Sequence, residues 1–249
     1  MDEGFGNWLA SFAESSLYEG IETSGKIVVN GSDGTLPEKR NSGLKIRAAA
    51  ALLGAFLAFT MAPAALAACA KIKPRAPGEI YFMRGLANIF SLGLDEFGKE
   101  MSKLGVENCV FNHSVWQSLA NDIVERSYRG EVSPPIIIIG HSLGANIAPK
   151  MATIIGQHNI PVSFVVMLDP VEPTFVGKNV EEIRNYYLPK RNDNTLHAAQ
   201  DFDGDLENVN VKKFGGFDHF NIDENRQLRN VMKSRIIEII NAQIAAAKQ

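Results

Sequence analysis

Neither sign of charge dominates this chain: 25 Lys and Arg stand against 28 Asp and Glu over 249 residues, and no stretch is densely basic. A nucleic-acid partner needs a basic face to follow phosphates, so the sequence carries no footprint for one. Cysteine is nearly absent. With only Cys69 and Cys109, one bridge is the most the chain can form. No internal repeat is visible and composition does not break after residue 78, which points to one globular domain over 79–249. Alternating aspartates in 201–210 (DFDGDLENVN) look like a calcium loop, but the glycine comes early and Lys212 stands where a bidentate glutamate is needed. The stretch reads as a solvated loop, and no metal or organic cofactor is implied.

One long apolar run exists, AAAALLGAFLAFTMAPAALAAC from Ala48 to Cys69, interrupted by Pro63 and ending in small residues. It follows the basic Lys45-Ile46-Arg47. A basic stub, an apolar core and a small-residue end make a secretory signal over 44–68 rather than a spanning helix. Residues 1–43 are polar, without a sustained period, and read as a disordered leader, or as upstream of a true start near Leu44. Leu66-Ala67-Ala68-Cys69 resembles the lipobox of bacterial lipoproteins. That resemblance implies lipidation at Cys69, a membrane anchor and an exported cell-envelope protein, with Ala70 leaning towards the outer membrane. Cleavage at an Ala-x-Ala site or an uncleaved anchor are the other outcomes. If Cys69 carries no lipid, a Cys69–Cys109 bridge becomes available in an oxidising compartment. Residues 69–78 read as a linker.

From Gly78 the chain alternates strand and helix signals. Strand candidates are EIYFMR (79–84), NCVFNH (108–113), PIIIIG (135–140) and PVSFVVML (161–168), with weaker ones at 182–189 and 208–214. Helical spacing runs through 91–105, 115–130, 143–156 and the C-terminal 223–247. The run of four isoleucines at 136–139 suits a strand buried on both faces. Such alternation calls for an α/β fold with a mostly parallel sheet and helices on both faces.

The isoleucine strand runs straight into Gly140-His141-Ser142-Leu143-Gly144 and leaves on a helix. A turn this sharp strains the serine's backbone. It also requires small residues two positions away on either side, which Gly140 and Gly144 supply. This strand–G-x-S-x-G–helix unit resembles the nucleophile elbow of the α/β-hydrolase family, in a form common among lipases, esterases and thioesterases. The resemblance implies a trimmed version of that fold over 79–249, without a large cap, and Ser142 as nucleophile. Pro149, inside the following helix, departs from a regular helix.

A serine hydroxyl needs a base, and the family's chain order is serine, acid, histidine. Of five histidines, His219 follows the last strand candidate and precedes the final helix, where the family's base belongs; His197 is second. Asp169 ends the strand after the elbow, in Leu168-Asp169-Pro170-Val171-Glu172-Pro173, which looks like the acid segment of pancreatic-type lipases. Asp193, one strand later, is the alternative. The oxyanion hole would draw one N–H from Leu143 and one from the loop RGLANIF (84–90), with Leu86 the candidate. The expected activity is hydrolysis of a small-molecule or lipid acyl ester or thioester. Acyl transfer by the same residues, or a membrane-tethered binding protein that has lost activity, are the rivals. Oligomeric state leaves no mark in the sequence.

Overall fold

Four consecutive isoleucines can be satisfied only where helices cover both sides of a strand, and that requirement organises the molecule. The computed structural model describes residues 67–69, 73–86 and 91–249, within the unit Ala62–Gln249. The leader at 1–43, nearly all of the signal segment 44–68, and loop residues 87–90 lie outside the described residues.

Nine strands are described: β1 (Ala67–Cys69), β2 (Glu79–Arg84), β3 (Glu107–Asn112), β4 (Ile136–His141), β5 (Phe164–Leu168), β6 (Thr174–Val176), β7 (Glu182–Tyr187), β8 (Leu196–Ala198) and β9 (Asp205–Asn210). The helices are α1 (Leu92–Leu104), α2 (Trp116–Tyr128), α3 (Leu143–Gln157) and α4 (Arg226–Ala246). The main sheet has the order β1-β3-β2-β4-β5-β7-β9, with β6 and β8 forming a separate parallel pair. All neighbours in the main sheet are parallel except β1, which runs antiparallel to β3.

Side chains of the central strands alternate between two packed faces. Tyr81, Met83, Ile136, Ile138, Val165 and Met167 join Ile123 of α2 and Ala148, Met151 and Ile155 of α3 in one cluster. The intervening Ile80, Phe82, Ile137, Ile139, Val166 and Leu168 are equally buried. Phe82 meets Phe97 of α1 at 5.5 Å between ring centres. Lys233 of α4 reaches Glu100 of α1 at 2.7 Å, and Arg235 reaches Glu182 of β7 at 2.8 Å. Continuous apolar strands thus reflect a sheet with no solvated centre. No helix among the described residues is long and apolar enough to cross a membrane.

One expectation changes, and two others gain detail. The Asp-rich stretch 201–210 is not all loop: Asp205–Asn210 forms β9, an edge strand parallel to β7, where alternating polar residues are tolerated on the open side. The helix after the elbow continues from Leu143 to Gln157 through the buried Pro149, with Thr153 Oγ1 donating to the Pro149 carbonyl at 2.8 Å. Finally, Cys69 lies on β1, directly opposite Cys109 of β3, and the two sulfurs are bonded. A bridge and a lipid thioether need the same sulfur, so the two expectations for Cys69 exclude each other, and the structure holds the bridge.

Candidate active site

The C-terminal ends of β4 and β5 supply the first two residues of the site. Ser142 directly follows β4 and precedes α3 with φ 58° and ψ −121°, a strained conformation for a residue with a side chain. Two glycines make this turn feasible. A Cβ on Gly140 would come within 2.1 Å of the Gly144 carbonyl oxygen, and one on Gly144 within 1.9 Å of the Met83 oxygen. Leu143 opens α3, so its N–H has no carbonyl four residues back within the helix.

Asp169 follows β5 and also has a positive φ, 47°. It is fully buried. Its Oδ1 accepts from the Leu188 N–H at 3.1 Å, and its Oδ2 from Lys190 Nζ at 3.1 Å. Burial alone would raise this carboxyl's pKa, but hydrogen bonds from His219, the Leu188 amide and Lys190 outweigh it and hold the group below the ordinary carboxylate range. The loop beyond is anchored by two buried asparagines. Asn146 of α3 donates to the Glu172 carbonyl and Thr174 Oγ1, both at 2.7 Å, and accepts from the Val171 N–H. Asn194 donates to the Pro170 and Leu188 carbonyls at 3.1 Å.

His219 comes from the loop between β9 and α4. Asp218 shapes that loop, its Oδ1 accepting from the Phe220 and Asn221 amides at 2.8 and 3.0 Å. The imidazole Nδ1 lies 2.5 Å from Asp169 Oδ2, and Nε2 lies 3.1 Å from Ser142 Oγ. An ionised carboxylate only accepts, so Nδ1 carries the hydrogen and Nε2 is left to accept from the serine hydroxyl. Ser142, His219 and Asp169 therefore form one continuous chain of hydrogen bonds. His197 is elsewhere engaged: its Nε2 lies 2.9 Å from Asp193 Oδ2. The alternative acid thus belongs to a separate pair.

Gly85, after β2, packs against Ser142. A Cβ there would come within 2.9 Å of Ser142 Cβ. Its N–H donates to Ser91 Oγ at 3.0 Å, and Leu86 is next in the chain. Leu86, Val171 and Phe220, which flank the site in sequence, all expose large apolar side chains. Among the described residues no group of three His, Cys, Asp or Glu could hold a metal ion. Sequence reasoning missed Lys190 and Asn194, which reach the site only through the sheet's topology, and Asn146, one turn into α3 after Ser142. It also missed His141 and Ser91, although both sit beside residues it singled out.

No family model matches this chain. No curated protein matches it either. Among solved structures, the NocB thioesterase domain from the nocardicin cluster is similar at 11% identity, covering 71% of this chain and 99% of that one with a TM-score of 0.40. A protein described as a hydrolase of the alpha/beta superfamily, from Xanthomonas campestris pv. campestris, is similar at 12% identity, 65% and 99% coverage and a TM-score of 0.34. Likenesses at this level carry no weight for what this chain does.

Proposed function

We propose that this chain is a serine hydrolase of the α/β-hydrolase type that cleaves carboxylic esters or thioesters through an acyl-enzyme on Ser142. The reading rests on the chain Ser142 Oγ–His219 Nε2 at 3.1 Å and His219 Nδ1–Asp169 Oδ2 at 2.5 Å, set at the C-terminal edge of a parallel sheet. His219 Nε2 takes the hydroxyl proton as Oγ bonds to the substrate carbonyl carbon and the carbonyl electrons move onto oxygen. The amides of Leu143 and Leu86 receive that oxyanion, aided by the N-terminus of α3. Collapse expels the alcohol or thiol, which takes the proton from His219, and a water repeats the steps to release the acid. Asp169 holds the imidazole in the required tautomer and stabilises its charged form.

The exposed Leu86, Val171 and Phe220 suit an apolar acyl chain better than a charged one. Export fits the bridge at Cys69–Cys109, since such bridges persist in oxidising compartments. The test is labelling with a fluorophosphonate, together with turnover of short and long p-nitrophenyl esters, by the protein and by Ser142→Ala. Labelling and turnover that vanish in Ser142→Ala are expected. An unlabelled protein that turns over neither ester defeats the reading and favours a binding role, and faster acyl transfer to an added alcohol than to water favours an acyltransferase.

A further inference from the structure

His141, the variable residue before the nucleophile, is fully buried and bonded at both ring nitrogens. Nε2 lies 2.8 Å from the backbone carbonyl of His219, and Nδ1 lies 2.9 Å from Ser91 Oγ. A carbonyl can only accept, so Nε2 carries hydrogen. Burial disfavours the imidazolium first of all, pushing this histidine's pKa down to about 4, so Nδ1 is bare and accepts. Ser91 must then spend its one hydrogen on Nδ1, and its oxygen accepts the Gly85 N–H at 3.0 Å. Every direction in the sequence Gly85 N–H, Ser91 O–H, His141 Nε2–H, His219 C=O is determined.

Ser91 is the residue before α1, where a serine ordinarily caps the helix through its own hydroxyl. Here it makes no such cap bond. The duty passes to Asp223, 130 residues beyond Gly93, whose Oδ2 accepts the Gly93 N–H at 3.0 Å. A helix that has a serine at its cap position yet is capped from the base loop has released that serine for another use. The two ties together join the loop carrying His219 to the segment that runs past Ser142.

We propose that Ser91 and His141 are positioning residues, a buried relay that sets the oxyanion loop and the catalytic imidazole at fixed places on either side of Ser142. The inference rests on the hydrolase reading above for its catalytic consequence, but not for its geometry. Neither residue touches substrate. They act through Gly85 and His219, and small displacements of such groups are costly, up to roughly 100-fold for about 1 Å.

Two experiments test it. In His141→Gln the amide nitrogen can keep the bond to the His219 carbonyl while the tie to Ser91 is lost; Ser91→Ala cuts the same tie from the other side. Each single variant should lose roughly 10- to 100-fold in kcat with KM within about twofold, and in the fluorophosphonate inactivation rate. The double variant should lose no more than either single, because both cut one link. Melting temperature and circular dichroism check that the variants fold. Variants with kcat within twofold of the parent, or additive losses, overturn the relay. The second experiment needs no variant: nitrogen-15 histidine spectra of the whole protein should show His141 neutral with hydrogen on Nε2, and hydrogen on Nδ1 overturns the proposal. Should the parent itself fail to react with fluorophosphonate, the hydrolase reading falls, while the spectra still decide the relay.

Discussion

Among the described residues two histidine–aspartate pairs lie within hydrogen-bond distance, and one of them faces a serine. His219 and Asp169 meet at 2.5 Å, His197 and Asp193 at 2.9 Å. They differ in what surrounds the carboxylate. Asp169 is fully buried, held by a backbone amide and a lysine, and its partner comes from 50 residues away. Asp193 is half exposed, four residues from its histidine, and turns back on its own loop. The Thr195 hydroxyl and amide, then His197, pull its carboxyl down to about 2. The His197 ring packs at a tilt against Phe175, 5.3 Å between ring centres, rather than beside anything nucleophilic. A short contact is therefore a poor mark of a catalytic pair. What separates the two is the sheet: Asp169 and Ser142 emerge side by side from the adjacent parallel strands β5 and β4, whereas Asp193 lies in the loop between β7 and β8.

Breaking the pairs should expose that difference at its largest. Ser142→Ala or His219→Ala should lower kcat by roughly 10⁴-fold or more, with the fold intact by circular dichroism. His197→Ala should stay within about twofold, since a half-exposed surface pair contributes at most about 1 kcal/mol to stability and nothing to proton transfer. Equal losses in both histidine variants would undo the assignment. Asp169→Asn should cost roughly 10²- to 10⁴-fold because the amide favours the wrong imidazole tautomer. Asp193→Asn should leave kcat/KM within about twofold, and the ratio of these two effects is the sharper measurement.

Much of the scaffold was legible because it depends on local pattern. The strand at 79–84, the elbow and the helix after it could be read from apolar runs and two glycines. So could His219, which follows from chain order once Ser142 is accepted. The choice between Asp169 and Asp193 could not be closed from sequence, because it turns on which strand lies beside β4. Other features had little local signal. Strand β9 overlaps only the weak candidate at 208–214, since an edge strand needs no apolar alternation on its open side. Lys190 looks like any surface lysine until the end of β7 brings it to Asp169. Ser91 read as part of a helix start, and only the distant Asp223 shows that its hydroxyl is engaged elsewhere.

Lys190 offers a finer probe of the same comparison, because it is what Asp169 has and Asp193 lacks. Its ammonium sits 3.1 Å from the oxygen that also receives His219, and donates to the Pro170 carbonyl at 2.7 Å. Lys190→Met should remove that tie while leaving the Leu188 amide and Asn194 in place. A drop in kcat/KM of roughly 3- to 10-fold is expected, carried by kcat rather than KM. An unchanged kcat would show that the backbone donor alone orients the carboxylate, and would leave burial as the main distinction between the two aspartates.

A third pair carries the comparison from catalysis to stability. His141 Nδ1 and Asp223 Oδ1 stand 4.0 Å apart, both buried, with Ser91 rather than the carboxylate bonded to the ring. Their protonation pulls stability in opposite directions. His141 falls from 6.5 to about 4, chiefly through burial, so the unfolded chain binds more protons there and this contribution is lost as pH falls towards 4. Burial likewise pushes Asp223 up from 3.8 to about 6. The folded state therefore binds more protons there, and that contribution is present at low pH and lost as pH rises through 6. Between about pH 4 and 6 the two slopes offset each other. Asp223→Asn removes the second and leaves the first, so on acidification from pH 6.5 to 4 it should lose about 2 kcal/mol more unfolding free energy than the parent. His141→Gln leaves only the aspartate and should lose less than the parent over the same interval. Urea unfolding at several pH values measures both. Parallel curves for all three proteins would mean that neither group titrates abnormally, and that burial does not hold the His141 imidazole neutral.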